Sequence, residues 1–174
     1  MSELEIHHEV EGADALGKKI GVLAAVLAVL LGIVTIVSHR AHTNAVLLKS
    51  EANDRWSLYQ SKRIKFHSLE LGIDLLNALP GRTPESSQTL SRYVKEKARY
   101  AKESETSQDE ARATDHEAAR AEDRALRFDF GEGLLEIGLV LTSLYFISRS
   151  KLFPVVGVIS AVLGIVIASL GFAI

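Results

Sequence analysis

The segment Ile20–Val37 reads IGVLAAVLAVLLGIVTIV and contains no charged residue. Two further apolar segments, Gly131–Ser148 and Leu152–Ile174, follow later in the sequence. Each of the three is about as long as the ~20 residues that an α-helix needs to cross a bilayer. A soluble domain would instead mix apolar and charged residues along each of its elements. The pattern therefore predicts three transmembrane helices, with the lipid bilayer as the partner of their apolar surfaces.

Nearly all of the charge lies outside these segments. Residues 38–130 carry 16 Lys and Arg against 15 Asp and Glu, interspersed along the chain, as is typical of solvated helices with ion pairs. The net charge of −2 gives no basic attraction to nucleic acid, and the absence of cysteine excludes disulfides and thiolate metal sites. Residues 1–19 form an acidic leader without a core of its own, and we interpret residues 20–37 as an uncleaved anchor.

The polar segment between the first two apolar segments is expected to be an antiparallel helical hairpin. Neither Pro nor Gly occurs from Ser38 to Leu71, whereas residues 79–84 read LPGRTP, a turn by composition. Apolar and small residues recur at heptad spacing on both sides of this turn, so a coiled-coil-like arm is predicted over 38–130. A fold at residue 82 or 83 sets Tyr59 opposite Ser104–Ser107, a large side chain against small ones. The predicted fold class is therefore all-α, with three transmembrane helices and one long arm.

Small residues form two stripes in the apolar segments, and such stripes let helices approach closely in lipid. In the first segment the stripe consists of Gly21, Ala25, Ala28 and Gly32, and in the third it consists of Gly157, Ala161, Gly164, Ala168 and Gly171. Three spans can use one stripe internally and leave the other for a second copy. We therefore expect a homo-oligomer, with a further protein partner on the arm as a second expectation.

Two carboxylates stand at the start of the second apolar segment. Glu132 and Glu136 are four residues apart and share one helical face, and Glu136 lies about one turn deeper. A charge there is costly unless it is protonated, paired or hydrated. One reading is a cation or proton pathway lined by Glu136. The other is a neutralised or paired carboxylate, for which the hairpin register offers Arg40 as the nearest partner, with Asp129 competing for it.

Other candidates for chemistry are weaker. His39 and His42 are three residues apart and can share a metal ion, but the sequence offers no convincing third ligand, so no metal or cofactor is assigned. Trp56 and Tyr59 are interpreted as residues that fill the seam of the arm rather than as a docking patch. No phosphate-binding loop, nucleophile elbow or zinc-protease motif occurs, so no catalytic residue is assigned and an enzyme is not expected.

Several short stretches together resemble a bacterial family of small membrane proteins known only as a domain of unknown function. These are Ser38–Thr43 (SHRAHT), Asn53–Lys62 (NDRWSLYQSK), Arg127–Glu132 (RFDFGE) and Leu135–Ile137 (LEI), and the resemblance covers Lys18–Ile174. The family pattern usually has Ala where this chain has Ser61. The resemblance implies a bacterial membrane location and three spans, and it brings no known activity. Its marked positions coincide with Arg40, Trp56, Tyr59, Glu132 and Glu136.

The leading functional hypothesis is a membrane-anchored, self-associating helical stalk or scaffold without enzymatic activity. The alternative is an oligomeric ion channel, or an ion-conducting subunit, that uses Glu136. The expected location is the bacterial inner (cytoplasmic) membrane. Because the positive-inside rule discounts long loops, the basic residues before 20 and between 149 and 151 favour a cytoplasmic leader, which places the arm in the periplasm.

Overall fold

The described part of the chain consists of three α-helices. The computed structural model describes residues 2–81 and 83–173, with side chains from residue 15 onward, and within these ranges no strand occurs. The helices are α1 (Ser2–Ala78), α2 (Pro84–Ser148) and α3 (Leu152–Leu170). The predicted all-α fold class is confirmed. The acidic side chains of the leader, Arg82 of the predicted turn and Ile174 at the end of the third predicted span lie outside the described residues.

All three helices are long and apolar enough to cross a membrane by length and composition, as the sequence predicts. They differ in how much of their apolar surface the protein itself covers. Only 11% of the most apolar stretch of α1 is buried, against 28% in α2 and 33% in α3. Most of the surface of the first apolar segment is therefore not covered by the rest of the described chain.

The break between α1 and α2 follows from local chemistry. Pro80 restricts the residue before it to non-helical backbone, and Gly81 adopts a left-handed conformation with a φ of 85°. Thr83 then caps α2, because its hydroxyl accepts a hydrogen bond from the Ser86 amide at 3.2 Å while the Ser86 hydroxyl accepts one from the Thr83 amide at 3.0 Å. Pro84 occupies the first helical position, where a missing N–H costs nothing.

The link between α2 and α3, residues 149–151, is shorter still. Arg149 has a φ of 57°, and its amide donates a hydrogen bond to the Tyr145 carbonyl oxygen at 2.8 Å, which closes the end of α2. Pro154 is buried in the first turn of α3, where proline is tolerated.

The chain divides into two compact units. Unit 1 comprises residues 1–44 and 120–174, and unit 2 comprises residues 45–119. In unit 1, α2 and α3 meet backbone to backbone through glycines. A Cβ on Gly131 would lie 2.7 Å from the Ala168 Cβ and 2.8 Å from the Gly164 carbonyl oxygen, and a Cβ on Gly138 would lie 2.7 Å from the Gly157 carbonyl oxygen. Real Cβ atoms essentially never come within 3.0 Å of another heavy atom in this way, so only glycine permits the observed approach.

Helix α1 joins unit 1 through an apolar cluster. Leu27 of α1 packs with Leu135 of α2 and Ala161 of α3, and all three are buried. Ser160 of α3 donates a hydrogen bond to the Leu134 carbonyl oxygen at 2.8 Å, which satisfies a hydroxyl that would otherwise be costly in an apolar setting. Unit 1 is thus a three-helix assembly in which α2 and α3 are in the closest contact.

In unit 2, polar pairs connect α1 to α2. Lys49 lies 3.1 Å from Asp115, and Arg55 lies 3.1 Å from Glu110. Farther along α1, Lys62 donates a hydrogen bond to the Ser107 hydroxyl at 2.7 Å. The partners on α2 move backwards along the chain as those on α1 move forwards.

Candidate functional site

The structure joins α1 to α2 through two hydrogen-bonded carboxylates in unit 1. The Thr35 hydroxyl donates to Glu132 Oε1 at 2.7 Å, and the Ser38 hydroxyl donates to Asp129 Oδ1 at 2.7 Å. The other oxygen of Asp129, Oδ2, lies 2.8 Å from His42 Nε2. We call these five residues the carboxylate cluster. It sits where the first apolar segment ends and the second begins.

The cluster places each carboxylate where it can be tolerated near an apolar segment. Ser38 is only 3% exposed, and Glu132 and Asp129 are half-buried, so hydroxyl donors replace part of the water that these carboxylates lose. Hydrogen bonds to a charged acceptor are roughly twice as strong as those between neutral groups. Chemically, the arrangement holds α1 against α2 and gives Asp129 a second polar partner in His42.

Glu136 and Arg40 stand apart from this cluster. Glu136 is exposed on α2, and in the described part of the chain no hydrogen bond or ion pair reaches its carboxylate. Arg40 is also exposed, and no described carboxylate lies within ion-pair distance of its guanidinium group. The structure therefore brings Asp129 and Glu132 to α1, whereas it leaves Glu136 and Arg40 without a described charge partner.

His39 and His42, the pair that the sequence offers, do not lie together on one carboxylate. His42 contacts Asp129, but His39 is exposed and outside the cluster. Among the described side chains, no group of three His, Asp or Glu residues is arranged to hold a metal ion.

The two stripes of small residues have different surroundings. In α3 all five members are buried, namely Gly157, Ala161, Gly164, Ala168 and Gly171. In α1 an added Cβ on Gly21 would lie 3.8 Å from Phe146, whereas Ala25, Ala28 and Gly32 are exposed. A Cβ on Gly32 would meet nothing within 4 Å. The α3 stripe is thus occupied within the protein, and the α1 stripe is largely open.

Unit 2 contains the aromatic pair Trp56 and Tyr59 and an ion pair between Glu70 and Lys97. Trp56 and Tyr59 are half-buried, with ring centroids 5.7 Å apart in an edge-to-face arrangement. The Lys97 ammonium group of α2 donates a hydrogen bond to Glu70 of α1 at 2.7 Å. This bond, together with one from His67, holds the pKa of the Glu70 carboxyl below its ordinary value. At the start of α2, the pKa of Glu85 is lowered by its own backbone N–H and by Thr83.

Sequence reasoning missed the hydroxyl partners of the carboxylate cluster. Thr35 and Ser38 were not singled out, although they lie three residues apart at the end of the first apolar segment, and polar residues there call for a partner. Their contacts with Glu132 and Asp129 depend on how α1 is rotated against α2, which the sequence does not display.

The fold and the carboxylate cluster together define the class of protein. It is an all-helical protein with three helices able to cross a membrane, two of which are joined by side-chain hydrogen bonds. The chain belongs to the family described as "Domain of unknown function (DUF4337)", whose model matches residues 16–174. The resemblance to a family known only as a domain of unknown function is thereby confirmed. No curated protein and no solved structure was found to match the chain.

Proposed function

We propose that the protein is a membrane-anchored helical scaffold that self-associates and has no enzymatic activity. The observation that carries this proposal is the open surface of the first apolar segment. Only 11% of the most apolar stretch of α1 is buried, and its small residues Ala25, Ala28 and Gly32 are exposed. Small residues on a helix that crosses lipid favour close packing with another helix, because backbones can then approach and gain dispersion contacts.

Glu136 provides independent support. An ionised carboxylate facing hydrocarbon is expensive, and Glu136 is exposed without a described partner within one copy of the chain. Packing of a second copy against this surface offers the carboxylate a polar neighbour or an enclosed water. The exposed carboxylate and the exposed small residues therefore both fit an assembly of several copies.

The polar segment completes the scaffold. The contacts of Lys49 with Asp115 and of Arg55 with Glu110 support an antiparallel, coiled-coil-like hairpin as the arm between the first and second spans. Two helices bury little surface on their own, so the arm is suited to contact further copies or a protein partner. We place the protein in the bacterial inner membrane as a multi-pass protein, with the arm in the periplasm.

The test is the mass of the native complex in mild detergent. We expect the wild-type protein to form a defined oligomer and Gly32→Leu to shift it towards the monomer, because the new side chain fills the open stripe. Val26→Phe is the matched control: Val26 is 50% exposed on the same helix but points away from the stripe, so added bulk there should leave the oligomer intact. A monomeric wild-type protein, or an oligomer that Gly32→Leu leaves unchanged, contradicts the proposal.

The second candidate is an oligomeric ion channel or ion-conducting subunit that uses Glu136. The exposure of this carboxylate on α2 favours it, since a ring of carboxylates from several copies can line a cation pathway. Ion flux into liposomes tests it directly. Flux that disappears in Glu136→Gln supports the channel, and flux that is absent, or that Glu136→Gln does not alter, eliminates the carboxylate pathway.

A further inference from the structure

Two arginines line one groove in unit 1, just beyond the apolar segments. Arg40 of α1 and Arg124 of α2 border a cavity of about 310 Å³, and Asn44 adds an amide to the same wall. A water molecule occupies about 30 Å³ in the liquid, so the groove has room for a phosphate group and several waters. It opens on a side of α1 different from the carboxylate cluster.

Neither charge in this groove has an ion-pair partner among the described side chains. In the described part of the chain, no carboxylate lies within ion-pair distance of either guanidinium group, and Asp129 is occupied by Ser38 and His42. Two like charges on one small cavity repel each other, and an anion between them relieves that repulsion. Guanidinium groups match phosphate oxygens with paired hydrogen bonds, which makes phosphate the anion that best suits the site.

One arginine is already held in position. The Arg124 guanidinium carbon lies 5.9 Å from the ring centroid of Phe128 and 6.0 Å from that of Phe172, and the two rings are themselves in edge-to-face contact at 5.0 Å. Stacking on aromatic faces limits the motion of the guanidinium group and lowers the entropy that binding must overcome. Arg124 is thus preorganised at the edge of the cavity.

The remaining walls are apolar. Val37, which ends the first apolar segment, and Phe128 line the same cavity as the two arginines. A groove that is charged at one end and apolar at the other, at the edge of segments able to cross a membrane, matches a lipid whose phosphate lies at the headgroup level.

We propose that this groove binds an anionic phosphate group, presented by the headgroup of an anionic phospholipid, between Arg40 and Arg124. The inference depends only on the three helices crossing a bilayer, and it holds whether or not the protein forms an oligomer. Asn44 donates from the polar wall, and the buried ring of Phe128 supports the Arg124 guanidinium group.

The experiment counts lipids bound to the full-length protein in neutral detergent by native mass spectrometry, per protomer. The protein is titrated with phosphatidylglycerol or with phosphatidylcholine carrying the same acyl chains. We expect tighter binding of phosphatidylglycerol and about fivefold weaker binding in either Arg40→Gln or Arg124→Gln, since one basic residue near an anionic surface contributes roughly that factor. Both residues are exposed, so neither substitution should prevent folding.

The control is Arg149→Gln, which removes one positive charge from the link between α2 and α3, away from the groove. It should leave lipid affinity unchanged. Equal affinity for the two lipids, or an equal loss in Arg149→Gln, overturns the proposal. Competition with inorganic phosphate identifies the source of the ligand: displacement at concentrations equal to that of the lipid assigns the site to free phosphate, and resistance assigns it to the lipid headgroup.

Discussion

Adding one methyl group to Gly131 tests the close packing of α2 on α3. The new Cβ would lie 2.7 Å from the Ala168 Cβ and 2.8 Å from the Gly164 carbonyl oxygen, whereas ordinary contact begins near 3.4 Å. Because one of the two neighbours is backbone, α3 must move away by about 0.6 Å or more. Overpacking of this kind costs about 1–3 kcal/mol, and the loss of dispersion contacts along the interface contributes to it.

Gly133→Ala is the matched control for Gly131→Ala. Gly133 lies two residues away in the same helix, and an added Cβ there meets nothing within 4 Å. Both substitutions gain the same helix propensity, up to about 1 kcal/mol. The difference between the two variants therefore isolates the packing cost, and we expect Gly131→Ala to be less stable than Gly133→Ala by about 1–3 kcal/mol.

The assay uses the absence of cysteine in the chain. Thr142 is buried on α2, so a Thr142→Cys background reports separation of α2 from α3 by the rate of thiol labelling during a titration with a denaturing detergent. Gly131→Ala should shift the labelling midpoint to lower denaturant, and Gly133→Ala should shift it slightly upward or not at all. Equal midpoints for the two alanine variants would refute the inferred backbone approach.

Three further predictions concern polar contacts. Thr35→Val removes the donor to Glu132 and should destabilise unit 1 by about 1.5–3 kcal/mol, measured by the same labelling; an unchanged midpoint would mean that the 2.7 Å hydrogen bond contributes nothing. Thr83→Ala should cost about 1 kcal/mol in the thermal unfolding of the arm, because α2 loses its N-cap, and no loss would argue against capping by Thr83. The pKa of Glu70 in the folded protein lies below its ordinary value of 4.5, so its bond with Lys97 contributes its full stabilisation above pH 4.5. This stabilisation is lost as the pH falls through the lowered pKa of the folded protein. Lys97→Gln should therefore flatten this part of the acid-unfolding profile, and an unaltered profile contradicts the assignment.

Much of the fold was readable from the chain because it depends on local composition. Long apolar segments predict helices that can cross a membrane, and the polar stretch contains no helix breaker before LPGRTP. The helices accordingly end at Ala78 and resume at Pro84. These features need no knowledge of which surfaces meet, since backbone hydrogen bonding within a helix involves only near neighbours in sequence.

The candidate site was only partly readable. The sequence indicates Glu132, Glu136 and Arg40 as unusual charges near apolar segments, because an unpaired charge in an apolar setting is costly. It did not show that Thr35 would meet Glu132, or that Arg40 would share a groove with Arg124. Such pairs join residues far apart in the chain, and a partial rotation of one helix about its axis, or one step of register, changes every partner.

The sequence by itself determined the number of helices, their apolar character and the place where α1 gives way to α2, because each follows from the residues within a few turns. Only the tertiary structure shows that the α3 stripe is buried against α2, whereas Ala25, Ala28 and Gly32 of α1 are exposed. Both stripes look alike as strings of small residues. Which of them is buried depends on where the glycines of α2 lie when the helices pack, and that is a property of the folded chain.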